Sequence, residues 1–128
     1  MLEAMEEISS LTKDNTGGVF NICLNYGGHA EIVDATKDIV KLVLDNKLSI
    51  DDITEEEFAK HLYQDLPPID LMIRTSGEVR LSNFMLWQLS YAEMYFPDCH
   101  WPAFNENEFD KAIRAYNGRE RRFGGNSK

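Results

Sequence analysis

The sequence predicts an α/β fold in which a parallel sheet is flanked by helices. Short, apolar, β-prone runs at 19–24, 69–74 and 92–96 alternate with stretches whose apolar residues recur at helical spacing. Such alternation is typical of parallel strands joined by helices. Polar loops that contain glycine follow the first two runs, at the carboxyl ends of the predicted strands. Ligands of parallel sheets bind at that edge, so we expect a binding site there.

The first third of the chain is predicted to contain two helices and one strand. Apolar residues recur at helical spacing from Leu2 to Leu11, so the chain opens in an amphipathic helix, and no recognisable N-cap precedes it. The run Val19–Leu24 is expected to be a strand buried on both faces. A long helix is predicted from about His29 to Asn46. Its apolar stripe consists of Ile32, Ala35, Ile39 and Val43, widened by Val33, Val40 and Leu44.

The rest of the chain is predicted to contain two strands and three helices. These are a helix from the capping box Thr54-Glu-Glu-Glu57 to about Gln64, a strand at 69–74, a short buried helix at 84–90, a strand at 92–96 and a final helix capped by Asn105. Three strands are few for an open parallel sheet. The chain therefore looks like part of a domain that further residues or a partner complete.

Composition narrows the class of protein. With 128 residues and a net charge of −9, the chain is one domain by length and lacks the overall basic charge expected of a nucleic-acid binder. The end of the chain differs, because Arg114–Lys128 carries five positive residues and one negative residue. Either this basic tail has an anionic partner, or it is a solvated terminus.

The two cysteines do not indicate a metal site or a disulfide framework. Cys23 lies in an apolar run and is expected to be a buried thiol, whereas Cys99 is expected to be incidental. Neither a signal peptide nor an apolar run of transmembrane length is recognisable. We therefore expect a cytoplasmic protein in a reducing compartment.

The segment after the second predicted strand is the most informative in the chain. Arg74 and Arg80 flank a glycine, and hydroxyl side chains, Ser82 among them, lie on either side. Guanidinium groups bind phosphate oxygens in a bidentate way, and a glycine-containing turn exposes N–H groups to the same anion. The segment therefore suits a diphosphate. The alternative is that both arginines are ordinary surface charges.

A long series of motifs resembles the cis-prenyltransferases. It comprises Asn25-Tyr-Gly-Gly28, the run from Arg74-Thr-Ser-Gly-Glu-Val-Arg80-Leu-Ser-Asn-Phe to Glu93, Trp101-Pro-Ala-Phe104 and Arg119-Glu-Arg-Arg-Phe-Gly-Gly125. The resemblance implies repeated addition of isopentenyl diphosphate to an allylic, farnesyl-type diphosphate with formation of cis double bonds. The implied product is the undecaprenyl diphosphate lipid carrier of cell-wall synthesis, released through transient contact with a membrane surface.

The resemblance also implies roles for individual residues. Arg74, Arg80 and Ser82 would hold the isopentenyl diphosphate group, and Glu93 would assist Mg²⁺. Alternatively, Glu93 is the partner of an arginine. The remaining substrate-site assignments are Asn25, which lines the site, and Glu78, which positions the arginine loop; Glu78 and Asn83 are alternatively plain turn and cap residues.

The end of the chain also resembles the family, whereas one position near the start of the predicted long helix departs from it. Arg122 and Gly124 match an Arg-x-Gly ending that, in the family, reaches the diphosphate of the neighbouring subunit in a homodimer. His29 stands where the family usually has arginine, and we assign it no catalytic role.

One part of the family pattern is missing from this chain. No Asp-Gly-Asn-Gly-Arg segment, which supplies the family's essential aspartate, occurs in the sequence. The chain thus resembles the carboxyl-terminal half of a single cis-prenyltransferase domain, contains no assigned catalytic residue and is expected to lack turnover alone. Two alternatives are a non-catalytic partner subunit of a heteromeric cis-prenyltransferase and an unrelated phosphate-binding module.

Overall fold

The computed structural model describes residues 2–64 and 66–119, and these form helices around a small sheet. The elements are α1 (Leu2–Thr12), α2 (Gly28–Leu44), α3 (Glu55–Ala59), β1 (Leu71–Ile73), β2 (Glu93–Tyr95) and α4 (Glu106–Asn117). Single 3₁₀ turns occur at Ile50–Asp52 and Trp101–Ala103. In the described ranges, no helix has the length and apolar character needed to cross a bilayer.

The two strands pair in parallel and confirm the predicted α/β class. In their register, Met72 lies opposite Met94 and Ile73 opposite Tyr95. The core cluster of Met72, Met85 and Leu89 lies against this sheet. Helix α4 packs on β2, and α2 packs on α3. The sheet and its core therefore position the segment that leaves the carboxyl end of β1.

The first predicted strand is not formed. Residues 19–24 adopt no strand pairing with any described residue, and the side chains of Val19 and Phe20 are 87% and 88% exposed. A strand needs a neighbour to hydrogen-bond its backbone, and neither β1 nor β2 takes that position. The prediction of a buried strand was therefore wrong for this chain. Cys23, expected to be buried, is exposed for the same reason.

Two of the predicted helices also differ. Residues 84–90 form successive turns rather than a helix, because Asn83 and Met85 have positive φ values of 64° and 44° that interrupt helical geometry. Met85 and Leu89 are nevertheless buried, as predicted for this segment. The helix that begins after Thr54 ends at Ala59 instead of continuing to about Gln64.

The apolar stripe predicted for helix α2 is buried on one face of the helix only. Its buried residues are Gly28, Glu31, Ala35 and Ile39, whereas Val33, Val40 and Leu44 are exposed on the opposite face. The wider apolar stripe was therefore wrong. The predicted caps are confirmed. The Thr54 hydroxyl accepts from the Glu57 N–H, and the Asn105 side-chain oxygen Oδ1 accepts from the N–H groups of Asn107 and Glu108 in the first turn of α4.

Candidate functional site

The arginine-bearing segment, residues 74–82, leaves the carboxyl end of β1 as predicted; we call it the arginine loop. The Arg74 N–H donates to the Tyr95 carbonyl at 3.0 Å and so extends the β1–β2 pairing by one bond. The backbone of Arg74 is therefore fixed by the sheet. Beyond it the chain turns away, and the predicted ligands Arg80 and Ser82 follow in the segment that leaves this edge.

The structure brings Arg74, Arg80 and Ser82 together. The Arg74 guanidinium donates from Nη1 to the Arg80 carbonyl at 2.5 Å and to the Ser82 hydroxyl at 3.0 Å. Arg80 forms an ion pair with Glu78, and both of these side chains are largely exposed. The Arg74 side chain thus links the two ends of the arginine loop. The Arg80 guanidinium instead lies at the surface, where it pairs with Glu78, the predicted positioning residue.

The backbone of this region contains an unusual share of left-handed conformations. Positive φ values occur at Ser76 (70°), Gly77 (64°), Ser82 (51°) and Asn83 (64°). A left-handed backbone costs about 1 kcal/mol or more of conformational free energy at each non-glycine residue. The surrounding contacts must therefore hold the loop in place. Such strain is concentrated at ligand sites in proteins.

The segment that follows β2 supplies some of those contacts. The Ser76 N–H donates to the Cys99 carbonyl at 2.8 Å, and the Gly77 N–H donates to the Pro97 carbonyl at 2.9 Å. The His100 ring nitrogen Nδ1 lies 3.1 Å from the Ser76 hydroxyl. A Cβ at Gly77 would lie 3.0 Å from an Asp98 carboxylate oxygen, so the fit there is close. The arginine loop therefore rests on residues 97–100.

The end of the second predicted loop, Asn25–Gly28, contacts Asn83, the residue that directly follows the arginine loop. The Gly28 N–H donates to the Asn83 carbonyl at 2.7 Å, and the His29 N–H donates to the Asn83 side-chain oxygen at 2.8 Å. Asn83 therefore caps the start of helix α2, as the alternative assignment of Asn83 as a cap residue predicted. Asn25 has a φ of 52° and an exposed side chain, and no hydrogen bond ties it to the arginine loop among the described contacts.

A buried carboxylate behind these loops was missed by sequence reasoning. Glu31 is 2% exposed, and it accepts hydrogen bonds from the Tyr26 hydroxyl, from the Tyr63 N–H at 3.1 Å and from the Gln88 amide at 3.1 and 3.2 Å. Burial and the bond to Glu31 raise the pKa of Tyr26. The available signal was that Glu31 shares a helix face with Ala35 and Ile39. Glu31 links α2 to three other segments.

Glu93, the predicted magnesium residue, is engaged with an arginine. Its Oε2 lies 2.6 Å from Nη1 of Arg119, and its side chain is 24% exposed. The alternative of an arginine partner is thus observed, although Arg119 was not singled out as that partner. Among the described residues, no cluster of three or more His, Cys, Asp or Glu residues could hold a metal ion. Arg122 and Gly124 lie outside the described residues.

A family model matches almost the whole chain. The model described as putative undecaprenyl diphosphate synthase matches residues 1–124. An isoprenyl transferase of Fusobacterium nucleatum is 54% identical over 121 residues, which are 94% of this chain and 50% of the relative. The farnesyl-diphosphate-specific ditrans,polycis-undecaprenyl-diphosphate synthase of Haemophilus influenzae is 49% identical over 96% of this chain and 52% of its own length.

Solved structures give the same result. Lavandulyl diphosphate synthase from Lavandula x intermedia, in complex with dimethylallyl diphosphate, matches 97% of this chain with a TM-score of 0.92 and 38% identity. A probable undecaprenyl diphosphate synthase from Campylobacter jejuni matches 96% with a TM-score of 0.79 and 36% identity. This chain covers 54% and 55% of those two chains. It spans about half the length of the curated relatives it matches.

Proposed function

The chain belongs to the undecaprenyl diphosphate synthase family of prenyltransferases, and we propose that it provides the isopentenyl diphosphate site of such an enzyme. The observation that carries this proposal is the hydrogen bond of Arg74 to Ser82 within a loop that also carries Arg80. The complete reaction is sequential cis-condensation of isopentenyl diphosphate onto an allylic diphosphate. The product is undecaprenyl diphosphate.

The two guanidinium groups and the hydroxyl suit this task. A diphosphate presents several anionic oxygens, and charge-assisted hydrogen bonds from arginine to phosphate are short and directional. Arg74 is already oriented by the Arg80 carbonyl and the Ser82 hydroxyl, so little conformational freedom is lost on binding. Among the described residues, the Arg80 guanidinium pairs with the partly exposed Glu78, and it can turn toward the ligand at small cost.

Magnesium fits this donor set as an ion held mainly by substrate and water. Mg²⁺ keeps several waters and takes one or two carboxylates together with phosphate oxygens. Glu93 would be the carboxylate, and the metal would supply positive charge that neutralises the diphosphate. Glu93 is the first residue of β2 and lies opposite Leu71, at the amino end of the paired strands; β2 fixes its backbone there, and Arg119 holds its side chain.

The proposal also includes the dimer, the residues around the arginine loop and the role of the enzyme in the cell. In it, Arg122 and Gly124 of one subunit reach the diphosphate of a second subunit in a homodimer, and Asn25 lines the site beside the arginine loop. The tail's charge, five positive residues against one negative from Arg114 to Lys128, suits an anionic ligand. The enzyme would act in the cytoplasm and supply the lipid carrier for cell-wall synthesis.

The direct test is binding of isopentenyl diphosphate to the 128-residue chain, measured by titration calorimetry in the presence of Mg²⁺. Arg74→Ala and Arg80→Ala should each weaken binding by about tenfold or more, because a charged hydrogen bond is worth roughly 1.5–3 kcal/mol. Lys47→Ala is the matched control, since Lys47 is an exposed cation that pairs with Asp45 and is not one of the predicted ligands. An equal loss in all three variants would contradict the proposed site.

A turnover assay tests the other half of the proposal. The chain alone, supplied with Mg²⁺, isopentenyl diphosphate and farnesyl diphosphate, should form no elongated product, because its sequence has no Asp-Gly-Asn-Gly-Arg segment. Measurable elongation would refute this. We expect the chain to bind isopentenyl diphosphate without forming product. Unchanged binding in a variant that lacks both Arg74 and Arg80 would contradict the proposed site.

A further inference from the structure

The turn at residues 76–77, near the centre of the arginine loop, uses its backbone N–H groups to hold itself in place. The Ser76 N–H donates to the Cys99 carbonyl at 2.8 Å. The Gly77 N–H donates to the Pro97 carbonyl at 2.9 Å. Both N–H groups are therefore engaged with the segment after β2. In the proposed function the diphosphate is bound by side chains, so the spacing of the two guanidinium groups decides how well it fits.

Ser76 is the strained residue of this turn, and its side chain bonds to a distant histidine. Its φ of 70° lies in the left-handed region, which glycine adopts freely and serine adopts only at a cost in conformational free energy. Its hydroxyl lies 3.1 Å from Nδ1 of His100, so the two side chains share a hydrogen bond whose direction depends on the histidine tautomer. This bond spans 24 positions and ties the strained residue to the segment after β2.

The backbone of His100 is itself well supported. Its carbonyl accepts from the Ala103 N–H at 2.8 Å, and this bond belongs to the 3₁₀ turn that begins directly after it. Pro102 lies in that turn and restricts its backbone dihedrals. The rings of Trp101 and Phe104 stack with their centroids 5.8 Å apart. The imidazole is therefore presented to the arginine loop from a backbone with little conformational freedom.

The arginine loop is thus held by two side chains at different points. The Arg74 guanidinium donates to the Arg80 carbonyl and to the Ser82 hydroxyl, and so fixes the end of the loop. We propose that His100 is a positioning residue of the diphosphate site, which holds the turn through the Ser76 hydroxyl and so fixes the spacing of the two guanidinium groups. This role rests on the proposed function, because it has an effect on binding only if the arginine loop binds the diphosphate.

The test is titration calorimetry of isopentenyl diphosphate with Mg²⁺ and variants of the 128-residue chain. His100→Phe keeps an aromatic ring without the nitrogen and should weaken binding about three- to tenfold, as expected for the loss of one hydrogen bond. His100→Asn is the matched variant, because its amide atoms are bonded to Cγ as Nδ1 is, and it should bind within about twofold of the unaltered chain. In a chain that carries Ser76→Ala, His100→Phe should have no further effect on binding.

Hydrogen exchange without ligand separates the positioning role from the diphosphate site itself. The Ser76 and Gly77 amides should exchange about threefold or more faster in His100→Phe than in His100→Asn, because loss of the bond favours local opening of the turn. Equal exchange in these two variants would overturn the role of His100.

The binding data give further outcomes that would overturn it. One is equal weakening by His100→Phe and His100→Asn, and another is an effect of His100→Phe that persists beside Ser76→Ala. Unchanged binding in His100→Phe, while Arg74→Ala and Arg80→Ala still weaken it, would overturn the positioning role alone. Failure of the unaltered chain to bind isopentenyl diphosphate would overturn both this role and the proposed function.

Discussion

The guanidinium of Arg119 lies 2.6 Å from the carboxylate of Glu93, and this ion pair joins the segment directly after α4 to strand β2. In the proposed function Glu93 would be the carboxylate that assists magnesium, so the metal and Arg119 would compete for the same group. Both side chains are partly exposed, and an ion pair of this kind contributes about 1 kcal/mol at most. The pair therefore holds Glu93 in place without preventing metal binding.

Arg119→Gln should lower the Mg²⁺ concentration needed for half-maximal pyrophosphate binding. The expected shift is about two- to fivefold, because the competing interaction is worth at most about 1 kcal/mol. Calorimetric titration of Mg²⁺ into the chain with inorganic pyrophosphate measures it. Arg114→Gln, an exposed arginine in the last turn of α4, is the control and should cause no shift. Weaker pyrophosphate binding in Arg119→Gln at saturating Mg²⁺ would instead make Arg119 a phosphate ligand.

Glu31→Gln should destabilise the fold by about 3 kcal/mol. The carboxylate accepts hydrogen bonds from Tyr26, Tyr63 and Gln88, and an amide would turn a donor toward some of these donors in a buried site. Urea unfolding followed by circular dichroism gives the change. Asp34→Asn, one turn away on the exposed side of α2, should cost less than about 1 kcal/mol. Equal losses of unfolding free energy in the two variants would show that the hydrogen bonds of Glu31 contribute no more than those of an exposed carboxylate.

The Tyr26–Glu31 bond should make stability fall at high pH. Burial and the hydrogen bond raise the pKa of Tyr26 above its ordinary value of 10.0, so the unfolded chain loses this proton before the folded chain does. The contribution is fully present below pH 10 and is lost as pH rises toward the folded pKa. Unfolding free energies measured from pH 8 to pH 11 should therefore decline above pH 10. Tyr26→Phe should reduce that decline, whereas Tyr95→Phe, which leaves the Glu31 bond intact, should not.

Asn83 should show two separable contributions. Its side-chain oxygen accepts from the His29 N–H at the start of α2, and its own φ is 64°. Asn83→Gly removes the cap but keeps the left-handed backbone, so it should cost about 1 kcal/mol. Asn83→Ala removes the cap and also strains the backbone, adding roughly another 1 kcal/mol. Thermal unfolding of both variants tests this, and equal stability of the two would mean that the backbone strain is absent.

The sequence predicted those features that depend on nearby residues. The caps at Thr54 and Asn105, the position of β1 and the start of α2 follow from side chains within a few residues of each other. The features it did not predict depend on distant residues. Val19–Leu24 has no strand neighbour in the part of the chain that the structure describes, and the pairing of Glu93 with Arg119 spans 26 positions. Periodicity shows that a face is apolar, but it does not show what covers that face.

Gly28 should be intolerant of a methyl group even though it lies in a helix. In a helix interior, replacing glycine by alanine is stabilising by about 1 kcal/mol, and this is the upper limit for Gly28→Ala at the first position of α2. A Cβ there would lie 3.0 Å from Leu86 Cγ, 3.2 Å from the Leu86 nitrogen and 3.3 Å from the Asn83 carbonyl oxygen. Two of these atoms are backbone and cannot rotate away, so we expect overpacking to prevail and destabilise the fold by about 1–3 kcal/mol. Gly17→Ala, with no atom within 4 Å of its Cβ, should change stability by less than about 0.5 kcal/mol in the same urea titration. A stabilised Gly28→Ala variant would show that the two loops are not closely packed at this point.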